Sequence, residues 1–203
     1  MKIIIIGASG RIGSKVTEAL LAKGHEVIRV GTRSGDIMAD YTNEQSVREM
    51  FGQAGEFVAL ISVAGGDSQF KRYADQTDDD FLFGFERKFL SQVRLVRLGE
   101  VCARDNASFT LTSGFLSHYP NEASIATGPL NSAVDTFVSN TAPLLQRNIR
   151  LNAVSPAPIV EPGQERKGLV TAAQTAERYV DAVEGSFTGK VLRAWGSLPV
   201  VYD

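Results

Sequence analysis

Residues 3–6 are four consecutive isoleucines, and the chain turns at once through Gly7-Ala8-Ser9-Gly10-Arg11-Ile12-Gly13. Such a β-branched run is too short for a signal-peptide core and suits a strand buried on both faces. Residues 14–21 then read as an amphipathic helix. Strand, glycine turn and helix in this order give the context that a dinucleotide-binding turn requires. In that role Gly7 permits the tight turn and Gly10 the approach of the backbone to a pyrophosphate. Gly13 lets the helix pack close to the sheet, with its N-terminus facing the anion. Ser9, Arg11 and Ile12 complete the turn and are expected at the phosphates with the glycines.

Strand-like and helix-like patches alternate along the rest of the chain, which predicts a parallel sheet covered by helices. Strands are expected at 27–30, 57–63, 108–112, 149–154 and 190–195, and helices at 44–51, 80–104, 130–145 and 171–184. Thr42 or Asn43 is available to cap the helix at 44. Asp78, Asp79 and Asp80 suit the N-terminus of the long helix, which favours negative charge. Between Val30 and Asp40 there is too little chain for a crossover helix, so residues 36–39 are expected to form a rudimentary strand reached by a tight loop.

Composition narrows the function classes. The chain has 203 residues, 43% of them hydrophobic, which is ample for a core and is read as a single nucleotide-binding domain over 1–203. A net charge of −2 and a pI near 5.8 leave no footprint for nucleic acid or an anionic membrane as partner. Cys102 is the single cysteine and sits in an apolar setting. With only His25 and His118 and no Cys/His cluster, no metal site is expected. A cytoplasmic protein is the expectation.

Several segments then resemble the short-chain dehydrogenase/reductase family over almost the whole chain. They are the Gly7–Gly13 turn, Asp40-Tyr41-Thr42, Val63-Ala64-Gly65, Leu111-Thr112-Ser113, the run from Asn152 to Pro158, and Thr188-Gly189-Lys190-Val191. The resemblance implies a Rossmann-type α/β fold: a doubly wound, mostly parallel sheet of about seven strands, helices on both faces, and a nicotinamide dinucleotide as cofactor. It places Asp40 at the adenine and Val63, Ala64 and Gly65 at the ribose. Pro156, Ala157 and Ile159 fall in the segment that passes over the nicotinamide. The length implies a short, atypical subgroup, with residues 160–170 in place of a longer lid and hence an open pocket.

One departure matters more than the matches. The family's active site uses a tyrosine and, four residues later, a lysine; here those places fall on Thr127 and Asn131. An aliphatic hydroxyl is far too weak an acid to replace a phenol whose pKa a neighbouring ammonium lowers, and Asn131 brings no charge. Candidate substitutes are Ser113, in the place of the catalytic serine, and Lys88, where the family's asparagine commonly completes the tetrad on the long helix. Lys88 or solvent would supply the proton. His118 and Tyr119, in the loop after Ser113, are a weaker alternative.

The end of the second strand bears on the cofactor. It offers Thr32-Arg33-Ser34, with no carboxylate before Asp36. Arg33 can fork onto a 2′-phosphate and the hydroxyls of Thr32 and Ser34 can donate to it, while Arg11 adds a second guanidinium; the expectation is NADP rather than NAD. The long helices at 80–104 and 130–145 match those that pair in family oligomers, and Phe85, Phe89 and Phe137 are expected on their outer faces, which predicts a homodimer or homotetramer. Two functions remain open at this point. One is an oxidoreductase acting on a small carbonyl or alcohol through a degenerate site. The other is an NADP(H)-binding sensor without turnover. Methyl transfer is disfavoured because it would leave residues 152–158 without a purpose.

Overall fold

The computed structural model describes residues 1–64 and 69–199. Nine strands and six α-helices are present among them. β1 (Lys2–Ile6) leads through the glycine turn into α1 (Arg11–Ala22), then β2 (Glu26–Gly31), β3 (Ile37–Met38), α2 (Glu44–Ala54) and β4 (Phe57–Ser62). The long helix begins as α3 (Asp78–Gly84), widens into a π-turn over Phe85–Leu90 and continues as α4 (Ser91–Cys102). β5 (Ala103–Thr112), α5 (Gly128–Thr141), β6 (Arg150–Pro156), β7 (Ile159–Val160), β8 (Val170–Thr171), α6 (Ala172–Glu184) and β9 (Val191–Ala194) complete the order.

The main sheet has seven strands in the order β3-β2-β1-β4-β5-β6-β9, and every pairing is parallel. The isoleucine run explains why β1 sits in the middle. Ile4 and Ile6 enter a core with Val47, Phe51, Leu95 and Phe109, while Ile3 and Ile5 enter a second core with Val16, Leu20 and Tyr179 on the other face. A strand buried on both sides can be apolar at every position, and this one is.

Residues 36–39 do hold a rudimentary strand, β3, in register with Val30 and Gly31. Asn43 caps α2, its Oδ1 accepting from the Ser46 amide at 2.9 Å. At the start of α3 the Asp80 carboxylate accepts from the Thr77 amide at 2.9 Å and from Lys71 at 2.6 Å, which accounts for the acidic run there. The π-turn and the small β7–β8 sheet are not foreshadowed by periodicity. Among the described residues no helix is long and apolar enough to cross a membrane.

Candidate active site at the strand ends

The order of strands reverses between β1 and β4, and open parallel sheets form their ligand crevice at such a switch point. The glycine turn lies there. Gly7 has φ +81°, and a Cβ on it would stand 3.0 Å from the Ala64 amide nitrogen, so glycine lets the end of β1 lie against residues 63–64. A Cβ on Gly13 would come within 2.0 Å of the Gly7 carbonyl oxygen. Arg11, Ile12 and Gly13 form the first turn of α1, directly after Gly10, which borders the crevice.

A groove of about 650 Å³ extends from this turn, bordered by Gly7, Ser9, Gly10, Thr32, Arg33, Asp40, Val63 and Ala64. The chain's own groups leave it suited to a phosphorylated ribose. Asp36, the nearest acid to the end of β2, is clasped by Arg29 at 2.7 Å, and that pairing holds its carboxyl down at about 2. No carboxylate of β2 or its following loop therefore lines the groove beside Arg33. Asp40 accepts from the Thr42 hydroxyl at 2.6 Å and amide at 2.9 Å, and these bonds lower its pKa.

Two sequence expectations need correction here. Arg11 does not join Arg33: its guanidinium donates to the Ile159 carbonyl at 2.9 Å and pairs with Glu161 at 2.5 Å. The cation that does border the groove beside Arg33 is Arg87, which carries a favourable interaction with Asp40 and lies over the Phe83 ring. Ser34 borders a separate depression with Ser14 and Thr17. Gly65 lies outside the described residues.

Beyond β5, a second cavity of about 430 Å³ gathers Lys88, Ser113, Thr127 and Asn131 with Pro156, Ala157 and Ile159. Its other walls come from the apolar Phe70, Phe115, Leu116 and Pro158, with Gly114 and the polar Asn121. Ser113 is delivered by the end of β5 and anchored by its amide to the Val154 carbonyl at 2.9 Å. Thr127 and Asn131 stand one turn apart at the start of α5. Lys88 is 6% exposed and is the buried residue of the π-turn. Its Nζ donates to the Ser113 carbonyl at 3.1 Å, and burial depresses its pKa from 10.5 to about 8, against the attraction of Asp135. Gln92 fixes this arrangement: its amide donates to the Lys88 carbonyl at 2.9 Å and accepts from the Thr112 amide at 2.7 Å. π-turns interrupt helices mostly where function needs a side chain displaced.

The Ser113 Oγ, Thr127 Oγ1 and Asn131 Oδ1 atoms are buried and have no hydrogen-bond partner. Each such atom costs about 1–3 kcal/mol, so three around one cavity mark a place where a polar ligand belongs. Asp135, one turn beyond Asn131, was not singled out by the sequence. Its Oδ1 is likewise sealed without a partner, and burial raises the carboxyl to about 6, opposed by the neighbouring Ser113 hydroxyl, Lys88 and Arg193. The signal was the spacing: 127, 131 and 135 share one helix face.

One further expectation falls away. Tyr119 does not turn into the cavity; its hydroxyl donates to the Pro199 carbonyl at 2.5 Å while its ring packs on Phe115 and Trp195, and His118 lies against Trp195 as well. The segment in place of the lid is held at two points. β7 pairs with β8, and Arg11 ties its Ile159 carbonyl and Glu161 to the glycine turn.

A seven-stranded parallel sheet with a glycine turn at its switch point defines a dinucleotide-binding protein of the Rossmann class. The family model described as enoyl-(acyl carrier protein) reductase matches residues 1–183. Among solved structures, the protein lin1944 from Listeria innocua is 35% identical, with a TM-score of 0.89 over 95% of this chain and 98% of that one. A small-chain dehydrogenase is 26% identical with a TM-score of 0.84, covering 95% of each chain. Another, crystallised in complex with NADPH, is 24% identical with a TM-score of 0.85, again over 95% of each. No curated protein sequence matches the chain. The chain belongs to the short-chain dehydrogenase/reductase family of oxidoreductases, whose members bind NAD(P).

Proposed function

We propose that this chain is a short, atypical member of the family that works as one nucleotide-binding domain. In this reading it moves hydride between NADP(H) and a small carbonyl or alcohol, without the family's tyrosine and lysine. The observation that carries the reading is the convergence of Lys88, Ser113, Thr127 and Asn131 on one cavity, with three buried polar atoms left unpartnered. An idle binding domain has no need of those atoms, and the comparisons do not favour the sensor.

The residues present fit a phosphorylated dinucleotide. Gly10 would leave room for the diphosphate at the start of α1, where Gly7 and Gly13 let the turn and helix close on the sheet, Thr32 and Arg33 would hold a 2′-phosphate, Asp40 would face the adenine, and Val63 and Ala64 the ribose. The NADPH seen in a relative points the same way. When bound, the reduced nicotinamide supplies the hydride. Ser113 then holds the substrate oxygen, and the Lys88 ammonium provides a fixed positive charge where negative charge develops. Pro158, Ile159, Phe115 and Leu116 exclude water from the reacting carbon and favour an apolar substituent on it.

A panel of reactive dicarbonyls and quinones, offered with NADPH or NADH, tests the reading. Slow NADPH-dependent reduction is expected, and Ser113→Ala should lower it by about 10²-fold or more. Arg33→Ala should weaken NADPH about 10–100-fold, the worth of a charge-assisted bond, and leave NADH unchanged. Equal affinity for the two cofactors in the wild type would defeat the choice of NADP. Tight NADPH binding with no turnover across the panel would defeat the oxidoreductase.

We also propose a homodimer or homotetramer built on the long helix and α5. Phe81, Leu82, Phe83 and Phe85 are 37–58% exposed along α3 and into the π-turn. Phe89 and Phe137, expected on the outer face, are instead partly buried against the core and link Phe85 to α5 by ring contacts. An apolar patch of this kind seldom faces water in a monomer. Light scattering should give a multiple of 21.9 kDa at micromolar concentration; a monomer there sinks this assignment.

A further inference from the structure

One side chain fastens the two walls of the crevice together. Arg11 follows directly on Gly10, which borders the groove. Its guanidinium donates at 2.9 Å to the carbonyl of Ile159, a residue of the cavity wall, and pairs with Glu161 at 2.5 Å. The strands that carry these residues are not neighbours. β4 and β5 lie between β1 and β6, so at the usual strand spacing their ends stand about 14 Å apart, farther than an arginine reaches. The contact exists because residues 157–161 leave β6 and lean back across the ends of β4 and β5. This strap is secured at both of its roots. The Ala157 amide donates to the Ala194 carbonyl at 3.0 Å, and β7 pairs with β8, which runs into the Thr171 cap of α6. The Arg11 and Glu161 side chains are 53% and 69% exposed, which puts their pairing at the outer surface, over the mouth of the crevice.

We infer that Arg11 and Glu161 form a clasp over the diphosphate position, one that unfastens each time the dinucleotide enters or leaves. It rests on the cofactor placement above and concerns exchange of the cofactor, not the chemical step. A dinucleotide with its phosphorylated ribose in the groove and its nicotinamide in the cavity passes its diphosphate between the two. Gly10 and Ile159 mark the sides of that passage, and the clasp spans the same two places. Its fastening suits a gate. An exposed ion pair is weakly held and opens readily, while the second, charge-assisted bond to a backbone carbonyl gives the closed arrangement a fixed geometry.

The sign of one rate constant separates a clasp from a mere charge. Glu161 and the dinucleotide are both negative, so removing the carboxylate lessens their repulsion. On charge alone, Glu161→Ala would therefore release NADPH more slowly. A clasp demands the reverse. Without the pair the strap opens more often, and entry and release both quicken.

Stopped-flow fluorescence of NADPH with the full chain and its variants decides between them. Glu161→Ala should raise the release rate about 2–5-fold, the worth of one exposed ion pair. Entry should quicken at least as much, so that affinity is kept or tightened. The difference in release between wild type and variant should close as salt is raised, because salt screens an exposed pair. Arg11→Ala should speed release at least as much, and adding Glu161→Ala to it should change release no further, as expected of two groups that act as one contact. Release that is unchanged or slower in Glu161→Ala, or quickened to the same extent in the Arg11→Ala background, overturns the clasp. If NADPH does not bind at all, the cofactor placement falls and the clasp with it. NADPH that binds, and leaves at a rate indifferent to Glu161, overturns the clasp alone.

Discussion

Lys88→Met is expected to abolish turnover and at the same time to stabilise the fold at neutral pH. The two effects share a cause. An ammonium that is 6% exposed has lost most of its hydration, and the single hydrogen bond to the Ser113 carbonyl does not replace it, so its pKa falls from 10.5 to about 8. That depression corresponds to a cost on the order of 3 kcal/mol whenever the native state carries the proton. Methionine keeps the apolar stem without the charge. Part of the gain returns because Asp135 loses a counter-ion, and the net rise in melting temperature should be a few degrees at pH 7, given about 2–4 °C per kcal/mol in a domain of this size. The sign follows from the direction of the shift. Below about 8 both states hold the Lys88 proton and the burial cost is fully present; between about 8 and 10.5 the unfolded chain keeps a proton that the native state has shed, so wild-type stability climbs with pH and the gap to methionine closes. Thermal melts of both proteins from pH 6.5 to 10.5 check this. A methionine variant that melts lower at pH 7, or a difference that stays flat with pH, contradicts the account of Lys88. Loss of turnover joined to a gain in stability is the pattern expected of a functional group held against its solvation preference.

The legible parts of the fold were those where local chemistry leaves few choices. Four isoleucines in a row can only be a strand covered on both faces, and the spacing of Gly7, Gly10 and Gly13 has a steric reason at each position. The shortage of chain between Val30 and Asp40 exposed β3 before any geometry was known. The helices were placed to within a few residues by their apolar period and by caps such as Asn43. The π-turn was not legible, because one extra residue in a turn leaves an apolar pattern that still reads as α-helical; yet that turn is what carries Lys88 inward and leaves its carbonyl to Gln92.

The site was legible only where position in the chain already implied position in space. Ser113, Thr127, Asn131 and Lys88 were identified from family resemblance, and they line one cavity. Asp135 was passed over because a carboxylate in the middle of a helix ordinarily faces water. Its burial depends on the approach of β9 and the π-turn, which no local pattern encodes. Arg11 was placed at the wrong end of the site for a related reason. A long side chain goes to whichever acceptor the fold brings near, and here the short β7 segment supplies the Ile159 carbonyl and Glu161. Arg87 carries no local signal of its place, since an arginine on a helix ordinarily faces water, yet it reaches the cofactor groove from the same turn as Lys88.

Gly13→Ala is expected to be the most damaging single-methyl addition in the chain. The new Cβ would stand 2.0 Å from the Gly7 carbonyl oxygen, 2.9 Å from its carbon and 3.0 Å from the Ala8 Cα, and all three are backbone atoms. Nothing flexible can yield. The Gly7 carbonyl is also fixed in place, because it accepts from the Gly10 amide at 3.0 Å and follows directly on the central strand. Relief therefore requires α1 to move off β1, opening the core around Val16 and Leu20 and displacing the helix N-terminus from the diphosphate position. The loss should be about 3 kcal/mol or more, at or beyond the upper end for overpacking, together with loss of NADPH binding. Gly10→Ala separates the two consequences: its Cβ meets only the Gly7 oxygen, at 3.2 Å, so the fold should survive while the added methyl occupies space intended for the pyrophosphate. Urea denaturation and NADPH titration of both variants give the comparison. Gly13→Ala with wild-type stability and affinity would mean that the helix is not seated on the turn as described, whereas destabilisation of Gly13→Ala with selective loss of NADPH affinity in Gly10→Ala assigns one glycine to packing and the other to the cofactor.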